Sequence, residues 1–121
     1  MSHDPIMRVK DAPLTVDPVL LEGLAAFRAA PKLVHLPGVD PAAERERLSK
    51  VLNNLAEVLL EGISANPRKL WVMRQFQRAL EAVRYEDTEG REHFGVELER
   101  LMDVLRIRSS DGLLNFYLVG F

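Results

Sequence analysis

The chain has no cysteine. That excludes disulfides, thiolate-bound zinc and a cysteine nucleophile. Histidine is scarce, confined to His3, His35 and His93. The seven glycines are scattered, so no glycine-rich loop is present to cradle a phosphate. There is no Gly-x-Ser-x-Gly motif, and Ser49 and Ser64 have no base at a suggestive spacing. A helical di-metal site needs a Glu-x-x-His pair from each of two helices, and no such pair occurs. No apolar run approaches the roughly 18 residues that a membrane span requires. Met1-Ser2-His3-Asp4-Pro5 lacks the basic-then-apolar succession of a secretory signal, so a cytoplasmic location is expected. Net charge is −2, which offers no bulk attraction to nucleic acid. Neither a cofactor nor a metal is expected, and no pair of carboxylates stands out for acid–base work.

What is present is ordinary globular material: 121 residues, 47% hydrophobic and 28% charged. That length suits one domain with a real core. Residues 1–16 read as an extended N-terminal arm, interrupted by Pro5 and Pro13, and residues 17–121 as a single helical domain. Asp17-Pro18 is a helix-start signal, a capping side chain followed by proline at the first helical position. Leu20, Leu21, Leu24 and Phe27 follow at helical spacing, and Pro31 ends the run. Asp40-Pro41 repeats the signal ahead of the stripe Leu48, Val51, Leu52, Leu55, Leu59 and Ile63. Asn66-Pro67 reads as a third start, leading to Leu70, Met73, Phe76, Leu80 and Val83. Asp87 or Thr88 caps a fourth helix with Phe94, Leu98, Leu101, Met102 and Leu105 on one face. Ser109 or Ser110 caps a short fifth helix, about residues 111–119, with Gly120 at its end. That last helix is apolar nearly all round, so it is expected to be the most buried element. Asn115 inside it would then need hydrogen-bond partners. Strand signals are poor. The predicted fold is all-α: a compact bundle of about five helices with the short apolar C-terminal helix packed in the core.

Charge is the most uneven property. From residue 66 to 80 the charged residues are Arg68, Lys69, Arg74 and Arg78, all basic. From residue 81 to 103 the acidic residues Glu81, Glu86, Asp87, Glu89, Glu92, Glu97, Glu99 and Asp103 outnumber Arg84, Arg91 and Arg100. Helix three is basic and helix four acidic. The plain reading is that the two helices lie side by side and pair along their rims, each exposed pair contributing about 0–1 kcal/mol. The functional reading is a polarised surface that steers a protein partner. Glu89, His93 and Glu97 recur at i, i+4, i+8 on helix four, close to one face. The missing Glu-x-x-His pairs argue for a solvated acidic face there rather than a metal site. Trp71 stands beside Arg74 and Arg78, an aromatic-and-arginine grouping of the kind that anchors interfaces. The candidate partner-binding residues are therefore Glu89, Glu92, His93, Glu97 and Glu99, with Trp71, Arg74 and Arg78 as a second patch.

The C-terminal part carries Asp87-Thr88-Glu89-Gly90-Arg91-Glu92, then Leu101-Met102-Asp103-Val104-Leu105. Ser109-Ser110-Asp111-Gly112-Leu113-Leu114-Asn115 and the closing Leu118-Val119-Gly120-Phe121 follow. Over about residues 66–121 this pattern resembles an uncharacterised family of small bacterial helical proteins, a domain of unknown function. The resemblance implies an all-helical domain with no known catalytic residues. Small helical proteins of this kind look like immunity partners of bacterial toxins. The expectation is therefore a non-catalytic protein that binds another protein, most concretely an immunity protein covering a toxin's active site with the acidic face of helix four. The alternatives are a structural homo-oligomer, formed through the apolar tail or the Trp71 patch, and a small helical ligand-binding protein or enzyme. Deleting residues 113–121 is expected to remove the fold.

Overall fold

Asp17 and Pro18 start the first helix as their chemistry requires. The Asp17 carboxylate accepts the Leu20 N–H at 2.9 Å, and α1 runs Pro18–Ala29. A computed structural model describes residues 4–36 and 41–119 of the chain. In order it contains a 3-10 turn, η1 (Pro5–Arg8), then α1, α2 (Pro41–Gly62), α3 (Lys69–Ala82), α4 (Thr88–Leu105) and α5 (Leu113–Leu118). Among the described residues no strand forms, and one isolated antiparallel bridge joins Pro13 to Arg68. The predicted all-α bundle is what is found. The expected Asp40 cap and the Gly120 stop lie outside the described residues.

α2 is the central helix and packs against α1, α3 and α4. Leu48, Leu52, Leu55, Ala56 and Leu59 along it, and Ile63 just past its end, are buried and meet Leu20, Leu24 and Phe27 of α1, Val72, Met73, Phe76 and Leu80 of α3, and Phe94, Leu98, Leu101 and Leu105 of α4 in one core. The stripes predicted from 3.6-residue spacing are the buried faces. Asp87 caps α4 by accepting the Gly90 N–H at 2.8 Å.

Three expectations need correction. Asn66-Pro67 does not start α3. Asn66 turns back on α2, its backbone N–H and its side-chain amide both donating to Gly62 O. Residues 67–68 are held extended by the arm, with Leu14 N–H donating to Pro67 O and Lys69 N–H donating to Ala12 O. The cap of α3 comes from far away in sequence: Asp11 accepts the Leu70 N–H at 3.0 Å and pairs with Arg68. That N–H is the strongest of the contacts holding the Asp11 carboxyl below its usual range.

The arm is thus a structural part of the bundle. η1 buries Ile6 against α3 and α5. Gln77 donates to Asp4 at 2.7 Å and to the Tyr117 hydroxyl at 3.1 Å, and Tyr117 in turn donates to Glu81. One polar chain therefore joins the arm, α3 and α5.

The second correction concerns α5. It sends Leu113, Leu114 and Tyr117 into the core, but Asn115 and Val119 are exposed and Phe116 is 41% exposed. It is amphipathic in place rather than buried all round, and Asn115 needs no buried partner. Its cap is Gly112 at φ 89°, a conformation suited to glycine, while Ser110 Oγ accepts the Leu114 N–H from just upstream.

The third correction concerns charge. α3 and α4 do not pair rim to rim. Each packs on α2 and on α5, and none of the ion pairs found among the described residues joins them. The basic and acidic helices present their charge to different surroundings.

Candidate functional site

Helix α4 turns its apolar residues inward, so the opposite side of the same cylinder faces outward by geometry. Glu89, Glu92, Val96, Glu99 and Asp103 follow one another at three- and four-residue steps along that outer side. All five are exposed. The stripe is roughly 21 Å long at 1.5 Å per residue. None of its four carboxylates takes part in an ion pair found among the described residues. Val96, 49% exposed, interrupts the charge at its middle. Asp103 and Val96 were not picked out in the sequence, although the three-and-four spacing that includes them was legible.

Glu97 does not belong to this face, which corrects the expectation drawn from i, i+4, i+8 spacing. It is 5% exposed and points toward the connector after α1. Its Oε2 accepts the Leu33 N–H at 2.9 Å, and its Oε1 accepts from Arg100 at 3.2 Å. Leu33 adopts φ 58°, unusual for a residue that carries a Cβ, and Arg45 fixes its carbonyl at 3.2 Å. Lys32 next to it is buried. Its ammonium donates to the carbonyls of Arg28 and Ala30 at the end of α1 and lies 4.7 Å from the Phe27 ring centre. Burial pushes the Lys32 amine below its ordinary value, and the Glu97 charge acts against that. The carboxylate therefore serves a buried turn.

His93 is half-buried one turn before Glu97. With His35, Val34, Val96 and Arg100 it lines a cleft of about 130 Å³ between the connector and α4. The Glu89–His93–Glu97 trio does not converge as metal ligands, because Glu97 is turned inward and committed to Leu33 and Arg100. Among the described residues no group of three or more His, Cys, Asp or Glu side chains is arranged to hold a metal.

The second predicted patch divides as well. Trp71 is half-buried, its ring laid over Gly62: a Cβ built at that glycine would come within 2.6 Å of the indole. The tryptophan is thus a packing residue that closes the end of α2. Arg74 and Arg78 are exposed. Arg78 lines an open groove of about 240 Å³ between α2 and α3, with Val51, Leu55, Val58, Ala79 and Ala82. This patch and the α4 stripe share no residue.

Carboxylates also gather where α2 meets the start of α4. Glu44 lies against Gly90, and its carboxyl is raised above its usual range, first by burial and then by Asp87 and Glu86. Asp87 is occupied as a cap and Glu86 pairs with Arg47 at 2.7 Å. Asp87 thus serves a helix end and Glu86 an interhelix contact.

No helix among the described residues is long and apolar enough to cross a membrane. No curated protein and no solved structure matches the chain. A family model does match, over residues 15–121, beginning where the arm gives way to α1. The chain belongs to the family described as Domain of unknown function (DUF4844).

Proposed function

We propose that this chain is a non-catalytic protein-binding protein whose docking surface is the outer stripe of α4. The observation that carries the reading is the run of exposed carboxylates Glu89, Glu92, Glu99 and Asp103, none of which takes part in an ion pair found among the described residues, while basic α3 lies elsewhere. Solvated like charges on a rigid helix raise the on-rate of an oppositely charged partner and penalise the wrong one. Val96 supplies an apolar centre to an otherwise polar contact. The partner that fits is a protein with a cationic cleft. In its most concrete form this is a bacterial toxin acting on nucleotides or nucleic acid, with the present chain as its immunity protein, made and retained in the cytoplasm.

His93 belongs at the edge of that surface, and Glu97 supports it from beneath by fixing the Leu33 turn. The test is genetic. A secreted-protein gene adjacent to this one is expressed in a sensitive host, alone and together with this chain. Growth arrest by the neighbour, relief by the wild-type chain and no relief by the E89R/E92R/E99R variant support the reading. Relief by the reversed-charge variant, or the absence of a growth-arresting neighbour, contradicts it.

A further inference from the structure

Residues 4–16 lie on the bundle as a bound peptide lies on a receptor. After η1 the segment is extended and its side chains alternate. Ala12, Leu14 and Val16 turn partly inward, whereas Asp11, Pro13 and Thr15 are exposed. Leu14 N–H donates to Pro67 O and Lys69 N–H to Ala12 O, each at 2.8 Å, and Lys10 N–H donates to the Asp111 carboxylate. Two side chains add selectivity. Ile6 is buried where η1 meets α3 and α5. Five positions later, Asp11 accepts the Leu70 N–H and pairs with Arg68. That N–H is one of the donors that a helix start leaves without an intrahelical partner. Main-chain bonds for affinity and spaced side chains for selectivity are how an extended peptide is recognised.

The groups that receive the arm lie within residues 67–118, inside the family match, whereas the arm as far as Leu14 lies outside it. Its hold on the core is small. Among residues 4–16 only Ile6 is buried, with Val9, Leu14 and Val16 packed partly against the core, and the Asp11–Arg68 pair is open to solvent. A segment held in this way opens while the core stays closed. The vacated seat presents the Leu70 N–H, Arg68 and the hollow left by Ile6. It calls for a carboxylate, and an aliphatic side chain five positions before it, on one extended backbone.

We infer that the arm and its seat are an exchangeable peptide–groove pair, so that the arm of one copy seats on a second copy whose own arm is displaced. The contact is an exchange of identical segments between copies. Ile6 and Asp11 set its specificity. The seat shares no residue with the α4 stripe, so the inference neither rests on the proposed function nor fails with it.

The experiment uses a fluorescein-labelled peptide of residues 4–16, standing for a second copy's arm, and two full-length chains: the wild type and I6D/D11A, whose own arm is disabled. The peptide should bind I6D/D11A with a dissociation constant below about 100 μM and raise its melting temperature. It should bind the wild type at least about tenfold more weakly, because the tethered arm competes at an effective concentration of about 1 mM. The same peptide carrying I6D and D11A should bind neither chain. Amide hydrogen exchange of the wild type gives a readout that does not depend on I6D/D11A folding. The N–H groups of Leu14, Lys69 and Leu70 should exchange together, faster than those of the α2 core and with little dependence on urea. Exchange of these three only through global unfolding overturns the inference. So does a peptide that binds no better than its substituted form, or that binds the two chains equally.

Discussion

The buried carboxylate of Glu97 accepts the backbone N–H of Leu33, 64 residues earlier in the chain, at 2.9 Å. One side chain of α4 thereby holds the turn that follows α1 in a positive-φ conformation. It also places a negative charge near the buried ammonium of Lys32. Replacing Glu97 with alanine strands a buried donor and removes the charge facing Lys32, so a loss of about 2–4 kcal/mol is expected from urea unfolding. Glu97→Gln keeps an acceptor for Leu33 but gives up the Arg100 ion pair and the charge facing Lys32, so it should cost less, about 1–2 kcal/mol. Equal effects from the two substitutions would show that the Leu33 hydrogen bond is not what matters.

Gly62 sits beneath the Trp71 ring. Glycine to alanine in a helix ordinarily stabilises. Here the new methyl would stand 2.6 Å from the indole, so Gly62→Ala should destabilise by about 1–3 kcal/mol through overpacking. The single tryptophan reports the change directly. Its fluorescence maximum should shift to the red as the ring is lifted into water, and an unchanged maximum with higher stability would contradict the packing role assigned to it.

α5 separates cleanly by face. Leu113 is fully buried and Phe116 is partly exposed. Leu113→Ala should cost about 2–5 kcal/mol and Phe116→Ala less than about 1 kcal/mol. Urea unfolding of the two variants decides this, and a Phe116 effect as large as that of Leu113 would mean that α5 is buried on both sides.

Acid sensitivity should come from aspartates that tie distant segments together. Lys69 donates to Asp111 at 2.8 Å, as does the Lys10 N–H, and these contacts lower the Asp111 pKa. Arg106 lowers that of Asp17, with help from the Leu20 N–H. A carboxyl depressed in the folded state contributes stability above its unfolded value near 3.9, and that stability is lost as pH falls through the folded value. The urea midpoint should therefore hold level from neutrality to about pH 5 and fall below about pH 4. Asp111→Asn tolerates the φ of 54° and removes only the charge. It should be less stable than wild type at pH 7 and converge with it in acid. A gap that stays constant with pH would show that the ion pair is not responsible.

How far the sequence could be read depended on the range of each interaction. Asp17-Pro18 and Asp87 signalled their helices correctly, because a cap and the N–H it serves are three residues apart. Asn66-Pro67 carried the same signal and failed, because Asp11 reaches α3 from the arm and leaves Asn66 to finish α2. No local pattern announces a cap 59 residues away. Glu97 was grouped with Glu89 and His93 by helical spacing. Only the α1 connector packed alongside α4 makes it a buried acceptor. The outward stripe Glu89, Glu92, Val96, Glu99 and Asp103 was legible in outline, since its periodicity is the complement of the apolar face. Its freedom from α3 was not legible, because consecutive helices are expected to be neighbours and here α2 and α5 lie between them.

The α4 stripe is the proposed docking surface. The most direct measurement is the dissociation constant of the growth-arresting neighbour that the proposed function requires, taken for the wild-type chain and for E89R/E92R/E99R across a range of ionic strength. The expected result is tight binding that weakens with salt, and a loss of about 100-fold or more on charge reversal in a chain that still folds, with only the small loss of stability that a cation in the first turn of α4 brings. Nanomolar affinity retained by the reversed-charge chain would contradict the account.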